Sequence, residues 1–205
     1  SSTSASYGVI SDIDDTILHT GVASTMKWRV LTNTFFKRVE KRSPLEGAAA
    51  LYHKLHKGTT GIDANPIFYV SHSPWNLYCY LDCFLTKNSF PKGPILLRNL
   101  PNPFKKKGIE EKPQKQKEII DLLKMYPDLP FILIGDSGEH DAGIYIEIAE
   151  AFPNRIKAIY LRSVKHEKKM RRIKGLFENY KTTPTLLVET SAAAEEHAKE
   201  NGFIA

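Results

Sequence analysis

Asp12, Asp14 and Asp15 crowd the end of an apolar run in Gly8 to Ile17, GVISDIDDTI, with Thr16 directly behind them. Carboxylates this close repel one another, and a bound divalent cation is the economical way to hold them together. A lone Asp-x-Asp is more often turn or capping chemistry. A second stretch, Phe131 to Tyr145 (FILIGDSGEHDAGIY), changes that balance, because another apolar run ends on Gly135 and Asp136, with Asp141 following. Between the two, the run Ile67 to Val70 ends on Ser71-His72-Ser73-Pro74. In a parallel sheet, strand ends carrying Asp, Ser and Asp meet in the crevice beyond the carboxyl edge. Three strand ends carrying Asp, Ser and Asp in this order are far more specific than any one motif.

These blocks resemble the haloacid dehalogenase superfamily. Its DxDxT motif falls on Asp12, Asp14 and Thr16, its strand-end hydroxyl on Ser71, and its GD-plus-Asp motif on Gly135-Asp136 and Asp141. Its lysine has three candidates, Lys112, Lys115 and Lys117; Lys115 is favoured because Lys115 and Ile119 fit a KxxxI helix start. More narrowly, FYVSHSPWNLY, GPILLR, FILIGDSGEHDAGIY and FPNRIKAIYLR resemble the catalytic domain of the actin-patch-type phosphatidate phosphatases. One departure is Gln114-Lys115 and Gln116-Lys117, where that family carries a His-Lys pair.

The resemblance implies a Mg²⁺-dependent hydrolysis of phosphatidate to diacylglycerol through an aspartyl-phosphate. Asp12 would be the nucleophile, Asp14 the acid and base, and Ser71 and Lys115 the holders of the phosphoryl oxygens. Asp12, Asp14 and Asp136 would bind Mg²⁺, Asp14 through its backbone carbonyl, while Asp141 would orient the lysine or a metal-bound water. Asp15 reads as a helix-turn cap or as a hydrogen-bond acceptor behind the ligands, not as a ligand itself. His72 and His140 have no second ligand or base at the spacing a zinc hydrolase needs.

The elements that must position these residues follow from periodicity. Strands near 7–11, 67–71, 94–98, 131–135, 156–161 and 185–188 alternate with helical patterns near 28–40, 45–57, 75–87, 115–126, 142–151 and 190–201, and Gly58 to Asn65 reads as a loop. This alternation predicts an α/β fold, Rossmann-like and of the haloacid dehalogenase type, with a mostly parallel central sheet and helices on both faces. Residues 1–6 read as a linker or remnant and 7–205 as one phosphatase domain. The stretches between the motifs leave no room for a large cap domain, so an open site able to take a large or embedded substrate is expected.

With 41% hydrophobic and 25% charged residues the chain reads as globular, and no apolar run approaches the ~20 residues a membrane span requires. The net charge of +6 is uneven, concentrated in Lys105 to Lys107 and in Lys165 to Lys174 (KHEKKMRRIK). Such stretches are either a solvated face or an attraction to phosphate-rich surfaces. Aromatics are not interleaved with them, so nucleic acid is not expected as a partner, and an anionic phospholipid at a membrane surface, met by peripheral contact, is. Trp28, Trp75, Tyr78 and Phe104 suit either core or acyl chains, with Tyr78 read as core. Cys79 and Cys83 read as buried, reduced thiols, implying an intracellular setting, cytoplasmic or peripheral at membranes. Oligomeric state leaves no mark in the sequence. Two other readings are a phosphatase for phosphoprotein or nucleic-acid phosphate ends, and a membrane-binding scaffold without catalysis; the intact Asp12, Asp14, Ser71 and Asp136 speak against the second.

Overall fold

A computed structural model of the protein describes residues 5–13, 47–98, 114–136, 141–162, 167–188 and 190–205. The strands are β1 (Gly8–Asp12), β2 (Ile67–Pro74), β3 (Ile95–Arg98), β4 (Phe131–Asp136), β5 (Ile156–Arg162) and β6 (Thr185–Val188). The helices are α1 (Ala48–Lys57), α2 (Tyr78–Lys87), α3 (Gln114–Met125), α4 (Asp141–Ala151), α5 (Glu167–Asn179) and α6 (Ser191–Glu200), with a 3₁₀ turn at Trp75–Leu77 leading into α2. The strands pair in the order β3-β2-β1-β4-β5-β6, every pair parallel.

Both faces of the sheet are covered, which is why β1 and β4 are buried along their whole length and read as continuous rather than alternating apolar runs. On one face Val9, Ile132 and Tyr160 pack with Leu51, Tyr52 and Leu55 of α1, Leu81 and Phe84 of α2, and Ala194 and Ala198 of α6. On the other, Ile10, Leu133 and Ile159 pack with Ile119 and Leu123 of α3, Tyr145 and Ile148 of α4, and Ile173 of α5. The expected α/β architecture holds. The helical pattern expected near 28–40 lies outside the described residues. α5 falls in the basic stretch, with Ile173 buried and Phe177 packed, partly buried, against the same cluster.

The order has a consequence for the site. From β1 the chain builds outward through β2 to β3, then returns to the other side of β1 and builds outward through β4, β5 and β6. The two halves therefore diverge between β1 and β4, leaving a crevice at their carboxyl ends, where ligands bind in open α/β sheets. Register carries the motifs to that edge: Asp12 pairs with Val70, so Ser71 lies one residue beyond, and Ser11 pairs with Ile134, which brings Asp136 to the rim.

Candidate active site

Asp12 and Asp136 are the last residues of β1 and β4, and Asp141 is the first of α4. All three are buried, and one carboxylate oxygen from each lies within 4.8 Å of the others. Lys115, the second residue of α3, reaches into this cluster: its Nζ is 3.0 Å from Asp12 Oδ1 and 2.7 Å from Asp141 Oδ1. It is only 1% exposed. An ammonium so far from water is tolerable only against opposite charge, which the carboxylates supply. When ionised, three carboxylates against one ammonium leave two negative charges.

The second Asp141 oxygen accepts from the Asp136 backbone amide at 3.4 Å, so Asp141 ties the lysine to the end of β4. Tyr145, one helical turn along α4, donates its hydroxyl to the Ile134 carbonyl at 3.1 Å. Burial above all, then the nearby Asp141 carboxylate, pushes the Tyr145 phenol well above its ordinary value, keeping it a neutral donor. This packing requires Gly135. A Cβ there would lie 2.5 Å from Asp141 Oδ2 and 2.8 Å from the Tyr145 hydroxyl.

On the other side of β1, Ser71 Oγ accepts from the Ser73 amide at 3.0 Å, next to the irregularity in the β2–β3 pairing between Ser71 and Pro74. Ser71 and Ser73 are both buried, and among the described residues the Ser73 hydroxyl has no hydrogen-bond partner. Behind Asp12, Ser11 Oγ donates to the Asp12 carbonyl at 3.0 Å and lies 2.5 Å from the Tyr52 hydroxyl. Burial drives the Tyr52 phenol well above its usual range. With Ser11 donating onward, Tyr52 donates to Ser11, and α1 thereby helps fix the end of β1.

The structure thus brings together Asp12, Asp136, Asp141 and Lys115. Of the three lysine candidates, Lys117 is exposed and Lys112 lies outside the described residues. So do Asp14, Asp15, Thr16, Trp28, Phe104, Lys105 to Lys107, His140 and Lys165. Tyr145, Ser73, Ser11 and Tyr52 were not singled out from sequence. Tyr145 carried a signal, its i,i+4 spacing from Asp141, and Ser73 another, its alternate-residue spacing from Ser71.

Two expectations are corrected. Cys79 and Cys83 are exposed rather than buried, because Tyr80, Leu81, Phe84 and Leu85 form the buried stripe of α2. Tyr78, read as core, is 45% exposed, and Trp75 is 60% exposed.

Residues 7–163 match the family described as Phosphatidate phosphatase APP1, catalytic domain. The chain belongs to this family. Over 156 residues, 76% of the chain and 25% of the relative, it is 40% identical to the protein named Phosphatidate phosphatase APP1 of Saccharomyces cerevisiae. Over 157 residues, again 76% of the chain and 25% of the relative, it is 31% identical to an uncharacterized protein of Schizosaccharomyces pombe. The chain therefore spans about a quarter of the length of these relatives. The family match covers β1 through the end of β5 and so includes all four residues of the charged cluster. The donor set fits a hard divalent cation, with buried carboxylate oxygens close enough to share one ion. Among the described residues, no helix is long and apolar enough to cross a membrane.

Proposed function

We propose that this chain is a Mg²⁺-dependent phosphatidate phosphatase of the haloacid dehalogenase type, releasing diacylglycerol and phosphate through an aspartyl-phosphate. The observation that carries the reading is the buried cluster of Asp12, Asp136, Asp141 and Lys115 at the switch point of the sheet, in a chain of this family. Asp12 is the nucleophile. A carboxylate is ionised at neutral pH and needs no base, but it must approach an anionic phosphate. Lys115 offsets part of that repulsion and, with the Ser71 hydroxyl, holds phosphoryl oxygens where negative charge spreads in the transition state. Asp12, Asp136 and the Asp14 carbonyl would hold Mg²⁺, which supplies charge neutralisation and orientation of the phosphate. Asp141 orients Lys115, as its 2.7 Å contact favours.

Asp14 protonates the departing alcohol oxygen and then takes a proton from the water that hydrolyses the aspartyl-phosphate. Thr16, the last residue of the Asp12-x-Asp14-x-Thr16 motif, is assigned a supporting part in the site. The substrate lies at a lipid surface, and the basic stretches support peripheral contact there: Arg171, Arg172 and Lys174 of α5 are exposed and suited to an anionic membrane. An intracellular location, cytoplasmic or peripheral at membranes, accompanies this reading, as does a single phosphatase domain over 7–205.

The test is phosphate release, with and without Mg²⁺, from phosphatidate in mixed micelles, a phosphopeptide and a 3′-phosphorylated oligonucleotide. Phosphatidate should turn over fastest, and only with the metal. Faster turnover of the phosphopeptide or oligonucleotide would move the function to that substrate class, and no turnover of any would leave a scaffold.

A further inference from the structure

We propose that the exposed face carrying Trp75, Tyr78 and Cys79 is the surface that seats this chain on a lipid bilayer, with the crevice opening toward the headgroups. The inference rests on the phosphatidate reading for its substrate. Position is the first argument. β2 carries Ser71 and Ser73 to the carboxyl edge of the sheet, and the chain passes through Pro74 directly into Trp75. Any surface met by Trp75 is met at the rim that also carries Asp12 and Asp136.

Composition is the second. The exposed residues from the 3₁₀ turn down α2 are Trp75, Asn76, Tyr78, Cys79, Asp82, Cys83, Thr86 and Lys87. Spacing of three and four places Trp75, Tyr78, Cys79, Asp82 and Cys83 along one side. The end at the site rim is uncharged, and the first charge comes at Asp82. Since α2 runs back from the rim at ~1.5 Å per residue, Lys87 lies ~13 Å further from that edge than Tyr78. Such a gradient suits shallow insertion of one helical end. Trp and Tyr, each with an apolar ring and a polar tip, favour the headgroup boundary over either water or hydrocarbon.

Charge is the third argument. The chain carries +6, and phosphatidate-bearing membranes are negative, so long-range attraction and short-range aromatic insertion act together. A second protein copy would need no anionic lipid, and its occupancy of this face is one outcome of the test.

Trp28 and Trp75 are the two tryptophans, so a Trp28→Phe variant reports on Trp75 alone. Its emission should shift to the blue on adding phosphatidylcholine vesicles doped with phosphatidate, and lipid brominated on the acyl chain should quench it. An environment-sensitive probe on Cys79 in a Cys83→Ser variant should report the same transfer with both tryptophans intact. Trp75→Ala/Tyr78→Ala should bind these vesicles about tenfold or more weakly and hydrolyse vesicle phosphatidate correspondingly slowly. It should retain its melting temperature and its rate on short-chain, monomeric phosphatidate. Unaltered vesicle binding by the double variant, with neither probe responding, overturns the proposal. So does light scattering that shows a dimer dissociated by the same substitutions. Failure on short-chain phosphatidate by the unaltered chain, with Trp75 still quenched by brominated lipid, would remove the substrate reading and leave the lipid surface in place.

Discussion

Replacing Lys115 with Met keeps most of the side-chain volume and removes its charge from a cluster of three carboxylates. At an effective dielectric of about 20, attraction is about 5.5 kcal/mol to Asp12 at 3.0 Å and about 6 kcal/mol to Asp141 at 2.7 Å. Most of this gross attraction offsets the several kcal/mol per ion spent on desolvation. Removing one partner of a buried pair leaves that desolvation uncompensated, which costs about 3–5 kcal/mol. Here one lysine serves two carboxylates, so the upper end of that range is expected. Urea unfolding in chelator should give the loss directly, and Mg²⁺ should recover part of it by restoring positive charge. Lys117→Met, on the exposed side of α3, should cost under about 1 kcal/mol. A loss below about 1 kcal/mol for Lys115→Met, or an equal loss for Lys117→Met, would refute the reasoning.

Chelator should abolish phosphate release and Mg²⁺ restore it, while Ca²⁺, with its larger and looser shell, should inhibit; the assay is turnover of micellar phosphatidate. Asp12→Asn should lower that turnover by about 10⁴-fold or more, with a small change in melting temperature because lost attraction to Lys115 opposes relieved repulsion from Asp136 and Asp141. Gly135→Ala should cost about 1–3 kcal/mol by overpacking and reduce kcat about 10²-fold by displacing Asp141 and with it Lys115, which urea unfolding and steady-state kinetics would separate. Glu118 is raised above its ordinary value, chiefly by burial, with a Gln114 hydrogen bond partly opposing. An acid raised in the folded state favours folding at low pH, and that contribution is lost as pH rises from the unfolded value through the folded one. Glu118→Gln should therefore flatten the fall in melting temperature across that window.

Much of the fold could be read from the chain because each strand of a covered parallel sheet is a short continuous apolar run, and each ends on residues too polar to continue it. Asp12, Ser71 and Asp136 stand out for that reason, as polar groups at the carboxyl ends of otherwise buried segments. Lys115 was harder. Three lysines share a stretch with little apolar patterning, and the helix start, which turns Lys115 inward and Lys117 outward, separates those two. Tyr78, Cys79 and Cys83 differ from expectation because α2 has apolar or aromatic residues on more than one side; Tyr80, Leu81, Phe84 and Leu85 take the side turned to the core, and the three are left exposed. The Ser11–Tyr52 contact joins residues far apart in sequence, and no local pattern announces it.

The bond from an Asp12 carboxylate oxygen to phosphorus is the step on which the proposed reaction turns. Acid quench during turnover of phosphatidate with Mg²⁺, followed by borohydride reduction and peptide mass analysis, reads that bond, since an acyl phosphate is reduced to an alcohol. Homoserine at position 12, absent when Mg²⁺ or substrate is omitted, is the expected result. Steady turnover with Asp12 unmodified, or reduction at a different carboxylate, would contradict it.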